Sequence, residues 1–186
     1  MGYWNSRGLR GSSLEDIINF TNGIYRQKNI AVIQKIPTPI TPVEVNNEKR
    51  TITLAYFDQQ STVDYIGVAQ GVPICFDAKE TNRKSLPIQN IHEHQIQFMS
   101  DFSQQQGVAF LLVHFTQEDS YYFLPVEVLK FYWEKAQQGG RKSIPADAFE
   151  KRYKIEYYGE ALLNYLEAVN TYFVERENRK RKEGIS

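Results

Sequence analysis

The feature that most limits what this chain can fold into is Val108 to Phe115, an eight-residue run that is apolar throughout except for His114. A run of that length is too short for a buried helix. It suits a strand covered on both faces, which requires helices above and below a sheet. Helical patterns lie on either side of it. Ser12-Ser13-Leu14-Glu15 reads as a capping box with Ser12 as N-cap, followed by Leu14, Ile17, Ile18, Ile24 and Tyr25 at helical spacing. Asn90 to Gln106 reads as a helix stopped by Gly107. Pro125 fits a first helical position, before an apolar face of Val128, Leu129, Tyr132, Trp133 and Ala136 that ends at Gly139-Gly140. Ala161 to about Lys182 reads as a long helix with Leu162, Leu166, Val169 and Phe173 on one side. Strands are expected at Ile30 to Ile36, Thr62 to Val68, Val72 to Lys79 and Tyr121 to Leu124. The mixture predicts an α/β fold with a central mixed β-sheet flanked by helices.

One segment does not belong to that sheet. Pro37-Thr38-Pro39-Ile40-Thr41-Pro42 excludes a central strand and a helix interior, and Thr51 to Phe57 has strand composition again. Residues 37 to 57 are expected to leave the core as a protruding hairpin. Residues 1–11 read as a mobile arm and 12–186 as a single domain carrying this insertion.

Charge constrains the partner. With 22 basic and 22 acidic residues the chain is formally neutral, which argues against a simple DNA-coating protein. Cations cluster at Arg7 and Arg10 and again from Arg176 to Lys182, either as phosphate contacts or as a solvated helix end. The 12 Tyr and 11 Phe are compatible with a bulky core or with base stacking. A lone cysteine, Cys75, excludes an intrachain disulfide and points to a reducing, cytoplasmic setting. Neither a signal peptide nor a membrane-length apolar run is apparent.

The stretch that carries chemistry is Ser61 to Lys79. An antiparallel hairpin turning at Gln70-Gly71 sets Asp64 opposite Asp77 and Thr62 opposite Lys79, all on one face. Facing carboxylates destabilise a sheet unless a cation offsets them, and a hard divalent ion such as magnesium does so. Asp64 and Asp77 then serve as ligands, with Lys79 placed to stabilise developing negative charge. A surface hairpin with an Asp/Lys ladder is the plain alternative. His92 and His94 suggest zinc, but His114 and Cys75 are the only further such ligands, so the two His are read as orienting a helix or touching phosphate.

An acid followed by (Asp/Glu)-x-Lys is similar to the core of restriction-endonuclease-like nucleases. Phe76-Asp77-Ala78-Lys79-Glu80-Thr81, with Asn90-Ile91-His92-Glu93-His94-Gln95-Ile96, more specifically resembles the RecU family of Holliday junction resolvases. Further matching segments are Leu14-Glu15-Asp16, Ile30-Ala31-Val32-Ile33 with Lys35, Pro37-Thr38-Pro39-Ile40, Ala55-Tyr56-Phe57, and Gly139-Gly140-Arg141-Lys142-Ser143-Ile144-Pro145. The resemblance implies a restriction-endonuclease-like fold with a stalk at residues 37 to 57. It implies a homodimer that nicks a four-way junction symmetrically during recombination and repair. Magnesium, with manganese as a substitute, is the implied cofactor, and the RecA recombinase and the RuvAB branch-migration machinery are implied partners. Thr62, Asp64, Asp77 and Gln95 match metal-site positions, and Lys79 matches the transition-state lysine. Glu15 matches an acid that completes the site, in competition with its capping reading. Arg7, Arg10, Lys35, Arg50, Arg141 and Lys142 are the expected DNA contacts. Two departures stand out: Asp77 replaces the commoner Glu, and the stalk is a few residues shorter than usual. A duplex-cutting restriction-like nuclease and a recombination accessory protein with an idle site are the alternative readings.

Overall fold

A computed structural model describes residues 13–57, 62–156 and 163–184. The N-terminal arm with Arg7 and Arg10, and the positions Ser12, Ser61, Ala161 and Leu162, lie outside the described residues. The chain runs α1 (Leu14–Gln27), β1 (Ala31–Lys35), β2 (Ile40–Asn46), β3 (Thr51–Phe57), β4 (Tyr65–Ala69), β5 (Val72–Thr81) and β6 (Ser85–Pro87). It continues with α2 (Glu93–Gln104), β7 (Val108–Phe115), β8 (Ser120–Pro125), α3 (Val126–Gln137), β9 (Ser143–Pro145), β10 (Lys154–Ile155) and α4 (Tyr165–Glu183).

Six of these strands form the main sheet, in the order β1-β4-β5-β7-β8-β10. β5 and β7 are parallel and every other neighbouring pair is antiparallel. A parallel pair needs a crossover over one face, and α2 lies on that connection. The apolar run at β7 is central, and its alternate residues feed two cores. Phe110 and Leu112 pack with Ile18 of α1 and Tyr165 and Val169 of α4. Ala109, Leu111 and Val113 pack with Ile96 and Met99 of α2 and Leu129 of α3. The expected central mixed sheet flanked by helices is the architecture observed.

Most of the aromatic content is core. Tyr65, Phe76 and Phe110 stack in series with centroids 4.7 and 4.8 Å apart, and Phe123 continues the row at 4.4 Å. Tyr56 and Phe57 do the opposite, at 64% and 81% exposed. They belong to the β2–β3 hairpin, a separate two-stranded sheet whose pairing runs from Ile40↔Phe57 to Asn46↔Thr51. Its register slips after Pro42, where the missing N–H interrupts the ladder. Residues 40–57 therefore form the protruding hairpin expected from the prolines.

Several boundaries differ from expectation. The first helix is capped by Ser13, with Asp16 completing the box, not by Ser12 with Glu15. Both pairs have the same spacing, and closing the second leaves Glu15 available for another partner. α2 starts at Glu93 because a 3-10 turn at Ile88–Asn90 precedes it. That turn buries Ile88 and Ile91 together. Pro125 closes β8 and is the N-cap of α3, not its first turn. α4 begins at Tyr165 and buries Tyr165, Ala168, Val169 and Tyr172, with Leu166 and Phe173 flanking. Its tyrosines can be buried because their hydroxyls reach Asn22 and Glu127.

β1 matters to the site because it anchors the residue before β4. Ile36 N–H donates to the Asp64 carbonyl at 2.8 Å. The close approach of β1 to β4 depends on Gly67, where an added Cβ would stand 2.2 Å from Val32 O and 2.6 Å from Ile33 Cα. These are backbone atoms with little freedom to move. Gly67→Ala is therefore expected to destabilise the fold by roughly 2–4 kcal/mol, read by urea unfolding. A loss under about 0.5 kcal/mol would show that β1 shifts freely.

Candidate active site

The β4–β5 hairpin has the expected register, from Tyr65↔Phe76 to Ala69↔Val72. The turn explains why it holds. Gln70 and Gly71 have φ of +49° and +84°, the doubly left-handed geometry of a two-residue hairpin turn. Gly67 pairs in line with Ile74 and introduces no bulge.

The ladder stops at Tyr65, one residue short of the acid. Asp64 is not a strand partner of Asp77, and Thr62 is exposed and outside the ladder, not paired opposite Lys79. The reason lies in the Asp64 side chain, whose Oδ2 accepts the Ala78 N–H at 2.8 Å. A carboxylate thus occupies the donor that a longer strand would have used. It also brings Asp64 against β5 at the residue after Asp77.

Asp77 is fully buried. Its Oδ1 accepts the Gln95 side-chain amide at 2.9 Å. Among the described residues its Oδ2 receives no well-formed hydrogen bond, and the Lys79 ammonium is ion-paired with it. Burial pushes the Asp77 carboxyl up to about 7, Lys79 opposes that rise, and the neighbouring Asp64 charge adds to it. An acid so placed is held ready for a charge that the protein itself only partly supplies.

Gln95, expected from the motif match alone, is buried at the third position of α2. Its Oε1 accepts the His92 N–H at 3.2 Å while its amide reaches Asp77, so it ties the helix start to the acid. His92 is the N-cap of α2, and its ring lies 5.4 Å from that of His94, nearly parallel.

Glu15 does not join the two aspartates directly. Its carboxylate is ion-paired with Lys35 across α1 and β1. It remains in the same corner, because the Tyr65 hydroxyl donates to Asn19 Oδ1 at 3.2 Å and toward Glu15 O at 3.4 Å. The Tyr65 hydroxyl is pushed up chiefly by burial, with the Glu15 and Asp64 charges adding. Among the described residues no three His, Cys, Asp or Glu side chains converge as a metal cluster. The donor set is two carboxylates, one with a buried oxygen lacking a hydrogen bond. That fits a hard cation that keeps several water ligands, such as magnesium.

Three other expected cations, Arg50, Arg141 and Lys142, lie on the surface. Arg50 is exposed at the end of the β2–β3 turn with φ +51°. Arg141 is exposed and its Nε donates to Ser143 Oγ at 2.8 Å; Lys142 is exposed beside it. Gly139 and Gly140 donate back to Ala136 and Lys135, so the glycine pair is also a helix stop.

Residues 9–171 match the family model described as Recombination protein U. A protein of Oceanobacillus iheyensis named Holliday junction resolvase RecU is 46% identical over 166 residues, 87% of this chain and 85% of that one. Proteins of the same name from Limosilactobacillus reuteri and Staphylococcus aureus are 47% and 44% identical, covering 87% and 88% of this chain and 81% of theirs. A solved structure of Archaeoglobus fulgidus Hjc, a Holliday junction resolvase, has a TM-score of 0.35 and 9% identity, over 61% of this chain and 75% of that one. On the strength of the family model and these relatives, the chain belongs to the Recombination protein U family.

Proposed function

We propose that this chain is a magnesium-dependent endonuclease that resolves four-way DNA junctions by paired, symmetric nicks. Junction resolution is the activity in the names of its close relatives. The observation that carries the metal-dependent reading is Asp77 Oδ2, buried and without a hydrogen bond, with Lys79 beside it and Asp64 on the next residue's N–H. Asp64 and Asp77 would hold the ion. Bound there, it would lower the pKa of an attacking water and bind the scissile phosphate. Gln95 keeps the Asp77 carboxylate in one rotamer. Lys79 supplies a fixed positive charge where negative charge grows on the phosphate oxygens. Thr62 and Glu15 take supporting parts, Thr62 through a position near the metal and Glu15 through a carboxylate that leaves Lys35 when DNA arrives. Arg7, Arg10, Lys35, Arg50, Arg141 and Lys142 contact phosphates. A homodimer would present two such sites, one for each nick, in the cytoplasm alongside the RecA recombinase and the RuvAB machinery.

The test is a synthetic four-way junction incubated with magnesium, with calcium as a binding-only control. Paired nicks at symmetric positions are expected. A junction that is bound but left intact would leave the accessory-protein reading. Equal cutting of linear duplex would favour the restriction-like one.

Gln95 offers a more limited check. Gln95→Ala removes a hydrogen bond to a buried carboxylate and half of a helix cap, at an expected cost of roughly 1–3 kcal/mol in stability. Orienting partners of metal ligands typically matter 10–100-fold, so cleavage should fall about that much. Unchanged cleavage with lowered stability would confine Gln95 to the cap.

A further inference from the structure

The catalytic strand continues past Lys79 to Thr81, and the turn beyond it borders an open polar cleft of about 360 Å³. Its lining includes Thr81, Asn82, Arg83, Gln89, Asn90 and Thr116. The volume falls within the range of small-ligand sites.

The framework of the cleft is pinned. Thr81 is buried; its Oγ1 accepts the Arg83 N–H at 3.1 Å and donates to Ser85 O at 3.4 Å. Thr116 donates to Thr81 O through its N–H at 2.9 Å and its Oγ1 at 3.3 Å. The 3-10 turn carrying Gln89 and Asn90 is closed by Ile91 N–H to Ile88 O at 2.9 Å and tied to Lys142 O at 3.1 Å. The side chains of Arg83, Gln89 and Asn90 are exposed, with no hydrogen bond or ion pair among the described residues. Glu80 also borders the cleft, and its carboxylate is hydrogen-bonded to His114 at 2.9 Å rather than to Arg83.

The cleft lies on the side of the sheet that carries the aspartate site. Ile88 and Ile91 pack into the α2–α3 core, and Gln95 of α2 reaches Asp77. At about 3.3 Å per strand residue, Thr81 is about 7 Å beyond Lys79 and about 13 Å beyond Asp77. A DNA strand rises about 3.4 Å per nucleotide, so the cleft lies about two steps from a phosphate beside Lys79 and about four from one beside Asp77. The cleft lining sets neutral amides beside one cation. Primary amides such as those of Gln89 and Asn90 present a donor and an acceptor together, the pattern that pairs with adenine, whereas acids accept from cytosine.

We infer that this cleft takes one nucleotide of the cleaved strand, two to four steps from the scissile phosphate, with Arg83 on its phosphate and Gln89 and Asn90 on the base edge. The protein then cuts junctions with a base preference at that position. The inference rests on the resolvase reading, and the experiment separates the two. Junctions randomised over four positions on each side of the crossover are digested with magnesium, and the nicks are mapped by sequencing. Wild type should prefer one base at a position two to four steps from the nick. The double variant Gln89→Ala, Asn90→Ala should flatten that preference tenfold or more while junction affinity in calcium changes less than threefold. Gln89→Glu should move the preference toward cytosine. Arg83→Ala should reduce the slope of log K against log salt by about one. An unchanged base preference in the double variant overturns the inference alone, as does a wild type without preference in that window. A wild type that nicks no junction overturns the resolvase reading and this inference with it.

Discussion

Asp77→Asn is expected to lower magnesium-dependent junction cleavage by on the order of 10³-fold and, without metal, to make the protein more stable near pH 8. The two effects have one cause. Asp77 is fully buried, its Oδ2 lacks a hydrogen bond, and its carboxyl is pushed from 3.8 up to about 7. Because the folded-state value lies above the ordinary one, the protonated acid is the form the fold prefers. Its stabilising contribution is complete below about pH 4 and is lost as the pH rises through about 7. Above that, the ionised side chain costs roughly 2–4 kcal/mol, which an amide avoids. Melting curves in EDTA should show the variant above wild type at pH 8 and the gap closing toward pH 4. Magnesium should raise wild type alone. A wild type more stable than the variant at pH 8 in EDTA would mean that Lys79 fully balances the charge, and the site would not be poised for a metal.

That strain also shows which parts of the site could be read from the chain. The register of the β4–β5 hairpin was legible because it follows from local rules, although the ladder ends one residue before Asp64. Gln70-Gly71 suits a turn with two positive φ values, and side chains alternate with period two on either side. The β7 strand was legible because a buried central strand needs no polar face, and the stalk because three prolines in six residues exclude the sheet. Other contacts were not, because they depend on how elements pack. Gln95 reaches Asp77 only because the β5-to-β7 crossover brings the start of α2 over β5, an angle no spacing in the sequence encodes. The bond from Asp64 to Ala78 N–H could not be foreseen, since pattern alone extends the strand to Thr62. The cap moved by one residue because Ser12-x-x-Glu15 and Ser13-x-x-Asp16 are equivalent locally. Tertiary contact decides between them, and the choice that frees Glu15 is the one that lets it meet Lys35.

Lys79→Met should reduce cleavage at saturating metal by about 10²–10³-fold with junction affinity nearly unchanged. Lys79 has two separable effects. It is ion-paired with Asp77, and it is mostly buried, with its side chain 17% exposed. Removing the ammonium deletes the charge that opposes the upward push on Asp77, so the carboxyl should hold its proton to still higher pH. A protonated ligand binds metal poorly. The variant should therefore need more magnesium, or higher pH, to reach half-maximal cleavage. Raising metal and pH together restores occupancy of the aspartates, but it does not restore a positive charge at the phosphate. Single-turnover rates measured across a magnesium series at pH 7 and pH 9 separate these contributions. A shifted midpoint with a plateau that stays 10²-fold or more below wild type is the expected pattern. A plateau returning to within about tenfold of wild type at pH 9 would reduce Lys79 to a charge balancer for Asp77. Stabilisation of the transition state would then fall to the metal and its two aspartates alone.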